Sequence, residues 1–451
     1  MLEKRWLKMQ ADVVREADRI DPDLYRKYGV KRGLRNADGT GVLVGLTTIG
    51  NVHGYVMNEG EKQPIPGELY YRGINVKDIV QADKREHRFG YEETAYLLLF
   101  GSLPTARELV DWKNKLGFYR KLSDGFKENA IMRNPSKDIM NAIARAVLFA
   151  YAFDEGGHPD DLSIEKCLAQ SIELIGAIPT IAAYAYQAKA HYHNGQSLLI
   201  RNPDPRKSTA ENFLALIRED GKCSKLEAET LDLALILHAE HGGGNNSSFT
   251  THVVTSSFTD IYSSVAASIL SLKGARHGGA NLRVMRQMQE IKDHLGDWTD
   301  ERAVRAYLEK IADRRAGDGT GLIYGLGHAV YTVSDPRAQM LRVKAAKLAK
   351  DKGREKEMRL YEMVEEFGPK IIKARHPRAE DVCANVDLYS GFVYDMLGIP
   401  TDLYTPLFAV ARCVSWCAHR MEELVNAGPI IRPAYKPIFH PRKYVPLTER
   451  Q

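Results

Sequence analysis

Asp387 and two glycine-flanked histidines have the residue types needed to remove a proton next to a carbonyl. Asp387 lies in Asn385-Val386-Asp387-Leu388-Tyr389-Ser390-Gly391, between apolar neighbours and just before a helical pattern. Partly desolvated, such a carboxylate is a candidate general base; at the start of a helix it is also a candidate N-cap. His277 opens His277-Gly278-Gly279-Ala280-Asn281, ahead of the helical spacing Val284, Met288, Ile291. A histidine at a helix N-terminus meets the positive end of the dipole, which favours the neutral imidazole, a hydrogen-bond donor to a developing enolate. A loop histidine beside a flexible turn fits the same residues. His328, in Gly325-Leu326-Gly327-His328-Ala329-Val330, sits on backbone free enough to approach a bound ketone.

Cationic residues could hold the anion that such chemistry requires. Arg337 follows Asp335-Pro336, on a stiffened turn, and Arg412 lies on the Phe408/Ser415/His419 side of its helix, in a stretch poor in acids. Guanidinium forks match carboxylates in bidentate fashion. Arg432-Pro433 falls in an extended terminal segment. Each of the three also reads as an ordinary surface arginine. His238-Ala239-Glu240-His241-Gly242-Gly243-Gly244 followed by an Asn/Ser run has three readings: a zinc site, a carboxylate cradle, or a helix end with satisfied histidines. It is not HExxH and no third ligand lies nearby in sequence, so no metal is assigned. No GxGxxG follows a strand, which argues against a dinucleotide fold.

These residues need helices to position them, and helical periodicity dominates the chain. Trp6, Met9, Val13 and Ile20 mark one face of an N-terminal helix, ending before the turn-rich Arg35–Gly41. Val42–Val56 with Glu68–Gly73 is the one plausible β-element. Thr105 and Glu108 predict a capping box. Residues 172–189 are apolar nearly all round and contain Pro179, which predicts a kinked, central helix. Phe249–Leu272 reads as one buried helix. Gly156–Asp161 and His191–Lys207 read as loops. Leu407, Ala411, Val414, Ala418, Met421 and Val425 form one helical face, stopped by Gly428-Pro429. The fold class is therefore all-α, with at most a small β-element near 42–73. The expected organisation is a helical extension over 1–40, a large domain over 41–280 that returns over 389–451, and a smaller, more solvated, separately moving domain over 281–388.

At 451 residues the chain can bury a large core and build two domains. Its 44% hydrophobic and 27% charged residues are those of an ordinary globular protein. A net charge of +5 without a Lys/Arg block interleaved with aromatics argues against a nucleic-acid partner. The N-terminal residues mix acids and bases without an apolar run, and no membrane partner is expected. The five cysteines, Cys167, Cys223, Cys383, Cys413 and Cys417, include no CxxC; a reducing cytoplasm is the expectation.

Taken in order, these blocks resemble the citrate synthase family over roughly residues 42–440. Tyr71-Arg72-Gly73, Tyr91–Leu99, Leu103-Pro104-Thr105, the His277 and His328 blocks, Asp335-Pro336-Arg337 and Asn385–Gly391 carry the likeness. The resemblance implies a helical homodimer whose two domains close over oxaloacetate and acyl-CoA, used as substrates with no cofactor. It implies Asp387 as the base toward the acetyl-CoA methyl group, His277 as donor to the enol or enolate, and His328 as donor to the oxaloacetate ketone. His241, Arg337 and Arg412 would bind oxaloacetate carboxylates, and Arg432 would serve the neighbouring subunit's site. The backbone around Leu322, Gly325 and Ala329, with Asn385, would line the acetyl-CoA wall. The implied activity is that of a Si-type citrate synthase of the tricarboxylic acid cycle. The alternatives are a 2-methylcitrate synthase using propionyl-CoA and a binding or regulatory member of the family. Arg276, Leu282-Arg283, Tyr324, Thr332 and Lys137–Met140 depart from the family pattern, at positions that bear on the acyl-CoA.

Overall fold

The computed structural model describes residues 2–36, 39–58, 61–154, 158–377 and 380–450. The sequence-predicted turn at Arg35–Gly41 and loop at Gly156–Asp161 include positions 37–38 and 156–157, which lie outside the described residues. The chain forms two compact units, Met1–Leu46 and Thr47–Gln451. In the first, one helix spans Leu2–Ala17 and a second Pro22–Lys27. Ile20 falls outside the first helix because Asp21 caps the second, with Pro22 at its first position. Trp6, Met9 and Val13 are exposed.

The second unit is built almost wholly of helices around Ile164–Asn194. That helix is long and apolar enough to cross a membrane by composition, yet 78% of its most apolar window is buried inside the fold. It runs through Pro179 as one element and packs against helices Ala106–Tyr119, Ile139–Ala150, Thr209–Ile217 and Tyr404–Asn426. Gly176 permits a close approach to helix Ala106–Tyr119, since a Cβ there would lie 2.7 Å from the Tyr119 Cβ. The Thr105–Glu108 capping box is present as the spacing predicts.

Other boundaries also differ from expectation: the long helix runs on to Asn194, past the expected loop start at His191. Phe249–Leu272 is split into helices Asn246–Thr255 and Ile261–Lys273. Phe258 takes φ 61°, and the Asp260 carboxylate accepts from the Ser263 N–H, so a local side-chain cap restarts the helix. The Tyr404–Asn426 helix ends with Ala427 at φ 41°, so the left-handed cap falls one residue before the expected glycine.

The β-element is a three-stranded antiparallel sheet of order β1-β2-β3, from β1 (Gly50–Asn58), β2 (Glu61–Tyr71) and β3 (Ile74–Asn75). Gly50 pairs with Tyr71 and Asn58 with Glu61, with an irregularity between His53 and Tyr55. Its role is positional. A Cβ on Gly54 would lie 2.7 Å from the Val330 carbonyl oxygen, and one on Gly67 would lie 2.2 Å from that of Ser334. Only glycine lets the hairpin press against the 330–334 backbone, where Gly67 N–H donates to the Ser334 carbonyl and the Tyr331 hydroxyl donates to that of Glu68.

Candidate active site

The His328 and Asp387 blocks lie 59 positions apart and are joined by backbone. Leu326 bridges Ala384, Gly327 N–H donates to the Cys383 carbonyl, and Asn385 N–H donates to that of Gly325. The Asn385 side-chain amide donates to the Gly327 carbonyl, while its oxygen caps helix Val386–Met396 by accepting from Asp387 N–H. Asn385 therefore takes the capping role, and the Asp387 carboxylate is left to face the cavity. Gly325 and Gly327 adopt φ 88° and 87°, conformations that favour glycine. His277 comes from the turn between helices Ile261–Lys273 and Ala280–His294, where the Thr405 hydroxyl donates to the Gly278 carbonyl. A Cβ on Gly278 would sit 2.4 Å from the Leu272 carbonyl oxygen, so this turn also requires glycine. His241 follows helix Lys225–His238, held in place where the Tyr71 hydroxyl donates to the Ile236 carbonyl.

These elements enclose a cavity of about 300 Å³. His241, His277, His328, Arg337, Arg412 and Asp387 all line it, and Asp387 is the one carboxylate among its lining residues. Burial lifts Asp387 from the ordinary 3.8 to about 6, against the pull of Arg337. A carboxylate there ionises near neutrality yet keeps more basicity than an exposed one. Burial, reinforced by Arg412, lowers His277 to about 4, so its ring is neutral. The neutral form expected from the helix dipole is present, with burial as the leading cause. Burial and Arg337 likewise hold His241 well below its ordinary range. Among the described residues, the buried His241 Nε2 and His277 Nε2 have no hydrogen-bond partner. His328 Nδ1 accepts from the N–H groups of Val330 and Tyr331 at 3.0 and 3.1 Å. That assignment puts the ring proton on Nε2. The ring stacks on Tyr331 at 4.7 Å and meets His241 edge-on at 4.9 Å.

The two arginines are held differently. The Asp335 carboxylate accepts from Arg337 Nε at 3.0 Å and from a terminal nitrogen at 2.7 Å, a buried bidentate pair that fixes the guanidinium plane. Asp335 also caps helix Pro336–Asp351 and accepts from Val386 N–H at 3.3 Å. Arg412 donates through Nε to the His238 carbonyl and lies over the Phe408 ring. Among the described residues it has no ion-pair partner within 4 Å, and burial lowers it to about 10. A buried guanidinium without a carboxylate is costly unless an anion completes it. With Arg276 also on its wall, the cavity thus offers three cations, neutral imidazole donors and one raised carboxylate, a set suited to a dicarboxylate undergoing attack by a carbon nucleophile.

Residues 36–434 match the family model for the citrate synthase C-terminal domain. The chain belongs to the citrate synthase family. It is 33% identical over 406 residues to the citrate synthase of Haloferax volcanii, spanning 90% of this chain and 94% of that one. It is also 33% identical over 384 residues to the 2-methylcitrate synthase of Shewanella oneidensis, spanning 85% and 92%. Among solved structures it resembles the ternary complex of carboxymethyl coenzyme A and oxaloacetate with citrate synthase from Thermoplasma acidophilum. There the TM-score is 0.75 at 28% identity, covering 93% of this chain and 99% of that one. The chain is accordingly an acyltransferase-type condensing enzyme.

In this citrate synthase family member, Asn385 and Ala329 also line the cavity, whereas Leu322, Gly325 and Arg432 are not among its lining residues. Leu322 is 55% exposed, Gly325 packs against Leu388, and Arg432 is exposed just after Ile431, whose N–H donates to the Ser256 hydroxyl. His238, Glu240 and His241 do not converge on a metal: His238 Nε2 bonds the Tyr394 hydroxyl at 2.7 Å, Glu240 pairs with His419, and His241 faces the cavity. Asp335 and Phe408 contribute more than sequence reading assigned them. The Asp-Pro-Arg spacing was a signal for Asp335, since a cap residue two before an arginine can also hold its guanidinium. Phe408 stacks on His238 at 3.6 Å, and no local pattern marked it.

Proposed function

We propose that this citrate synthase family member condenses acetyl-CoA with oxaloacetate and hydrolyses the resulting citryl-CoA to citrate and CoA. The observation that carries this reading is the single lining carboxylate, Asp387, raised to about 6 in a cavity shared with three histidines and three arginines, Arg276, Arg337 and Arg412. Asp387 takes a proton from the thioester methyl group, and the electron pair moves onto the thioester oxygen, where a His277 N–H donates. The enol carbon attacks the oxaloacetate ketone, which His328 polarises through Nε2–H. Arg337, Arg412 and His241 hold the carboxylates. Water then cleaves the thioester, releasing CoA as the thiol. A carboxylate alone is far too weak a base for a thioester α-proton; each donor aimed at a developing oxyanion contributes about 2.7–4 kcal/mol.

Both substrates are consumed as small molecules, and the reading requires no cofactor. It takes the protein as a cytoplasmic homodimer in which exposed Arg432 serves the partner's cavity, and takes the backbone near Leu322, Gly325 and Ala329, with Asn385, as the acyl-CoA wall. The equal 33% identity to a 2-methylcitrate synthase supports a second reading, with propionyl-CoA as the thioester. One extra methylene is worth only about 1–3 kcal/mol in a pocket. Thiol release with oxaloacetate and each thioester tests both. A kcat/KM favouring acetyl-CoA is expected, one favouring propionyl-CoA selects the second reading, and no release with either by folded protein overturns both.

A further inference from the structure

Behind the cavity wall, helices Asn246–Thr255 and Tyr404–Asn426 bring together a group of side chains that the condensation does not use. His252 Nδ1 lies 2.8 Å from Glu423 Oε2, and His419 Nε2 lies 3.2 Å from Glu240 Oε2. An ionised carboxylate only accepts, so each ring donates a proton outward from that nitrogen. The inner nitrogens, His252 Nε2 and His419 Nδ1, face each other across 3.1 Å. Against the pull of burial, Glu240 holds His419 up to about 9, so in the metal-free protein its Nδ1 also carries a proton and donates to His252 Nε2. Glu422 Oε2, 3.8 Å from His419 Nδ1, is buried with no hydrogen-bond partner among the described residues, while the other oxygen of that carboxylate accepts from Thr48 N–H and hydroxyl.

The His419 Nδ1 proton is the positive centre between the two nitrogens, and a metal ion that displaces it would take the same place. A bridging proton satisfies the two nitrogens and leaves Glu422 Oε2 orphaned. A metal ion satisfies all three. The three donor atoms lie within 4.8 Å of one another, and a tetrahedral zinc with bonds near 2.0–2.1 Å places its ligands about 3.3 Å apart. Glu240 and Glu423 are already placed as the outer carboxylates that orient metal-bound imidazoles. Gly243 has no side chain beside the pair, where a Cβ would touch His419 Cε1 at 3.5 Å and His252 Nε2 at 3.7 Å. We propose that His252 Nε2, His419 Nδ1 and Glu422 Oε2 form a binding site for a divalent transition-metal ion of the zinc type, with a fourth position open to water.

The test uses the full-length, tag-free protein, stripped with chelator and titrated with zinc by calorimetry, with cobalt as an absorbing substitute. The expected result is one ion per chain, a rise in melting temperature on zinc addition, and the visible bands of tetrahedral cobalt. His252→Ala and Glu422→Gln each abolish the stoichiometric site. Glu423→Gln, which keeps all three ligands, weakens zinc binding by roughly 10- to 100-fold. Circular dichroism checks that the variants are folded; if His252→Ala fails to fold, Glu422→Gln and Glu423→Gln carry the test. Absence of stoichiometric zinc binding in the wild type, or binding unchanged in folded Glu422→Gln, overturns the proposal and leaves a shared proton between the rings.

Discussion

Replacing Asp387 by asparagine should cripple turnover and yet make the protein more stable. The folded state raises this carboxyl from 3.8 to about 6, chiefly by burial. Its stabilising contribution is therefore complete below the unfolded value of 3.8 and is lost as pH rises through about 6. At roughly 1.4 kcal/mol per tenfold, holding the ionised form in the fold above that pH costs at most about 3 kcal/mol, an upper bound because the side chain is partly open to the cavity. Asparagine is nearly isosteric and never ionises. For a chain of 451 residues, a change of 1 kcal/mol moves Tm by about 1 °C. Asp387→Asn should therefore melt up to about 3 °C above wild type at pH 8 but only about 1 °C above it at pH 4.5. Thiol release should fall by about 10²- to 10⁴-fold, the range for loss of a general base. In the wild type, kcat/KM should rise with pH through about 6 as the base ionises. A variant that melts below wild type at pH 8, or gains equally at pH 4.5 and pH 8, refutes this account of Asp387.

Other substitutions probe the supports. Asp335→Asn removes one partner of the buried pair with Arg337 and should cost about 3–5 kcal/mol in denaturant unfolding, with a raised KM for oxaloacetate. Gly325→Ala forces a Cβ to within 2.7 Å of Leu388 Cδ1 at φ 88°. It should lower stability by about 1–3 kcal/mol in the same assay and reduce kcat, because the Asn385 N–H bonds to this residue. Mixed dimers of Arg432→Ala and Asp387→Asn subunits should regain part of the activity if Arg432 serves the partner; full inactivity of verified heterodimers counts against a shared site.

Local chemistry was readable along the chain, and distant partnerships were not. Gly278, Gly325 and Gly327 advertise turns, and the Thr105–Glu108 box states its own geometry, because both depend on neighbours a few residues away. Asp387 was ambiguous between cap and base for the same reason. Only the position of Asn385, two residues earlier, resolves it, since a single amide oxygen can take the exposed N–H and free the acid. The hairpin's purpose was hidden because it is set by contacts 263 positions away, as between Glu68 and Tyr331. Glu240 and His419 are 179 positions apart, so no spacing announces them. Phe258 and Ala427 adopt left-handed backbone without being glycine, which residue type alone does not forecast.

Asp335 gives one carboxylate to two helix beginnings, capping the helix that carries Arg337 and accepting from Val386 at the start of the one that carries Asp387. On the proposed reading, the clamp for the electrophile and the base for the nucleophile are thereby riveted to a common point. A displacement that carries one carries the other, and the spacing between them is preserved. Substrate pushing on the arginine would shift both ends together, so alignment for carbon–carbon bond formation is built into a shared joint rather than re-established with each turnover.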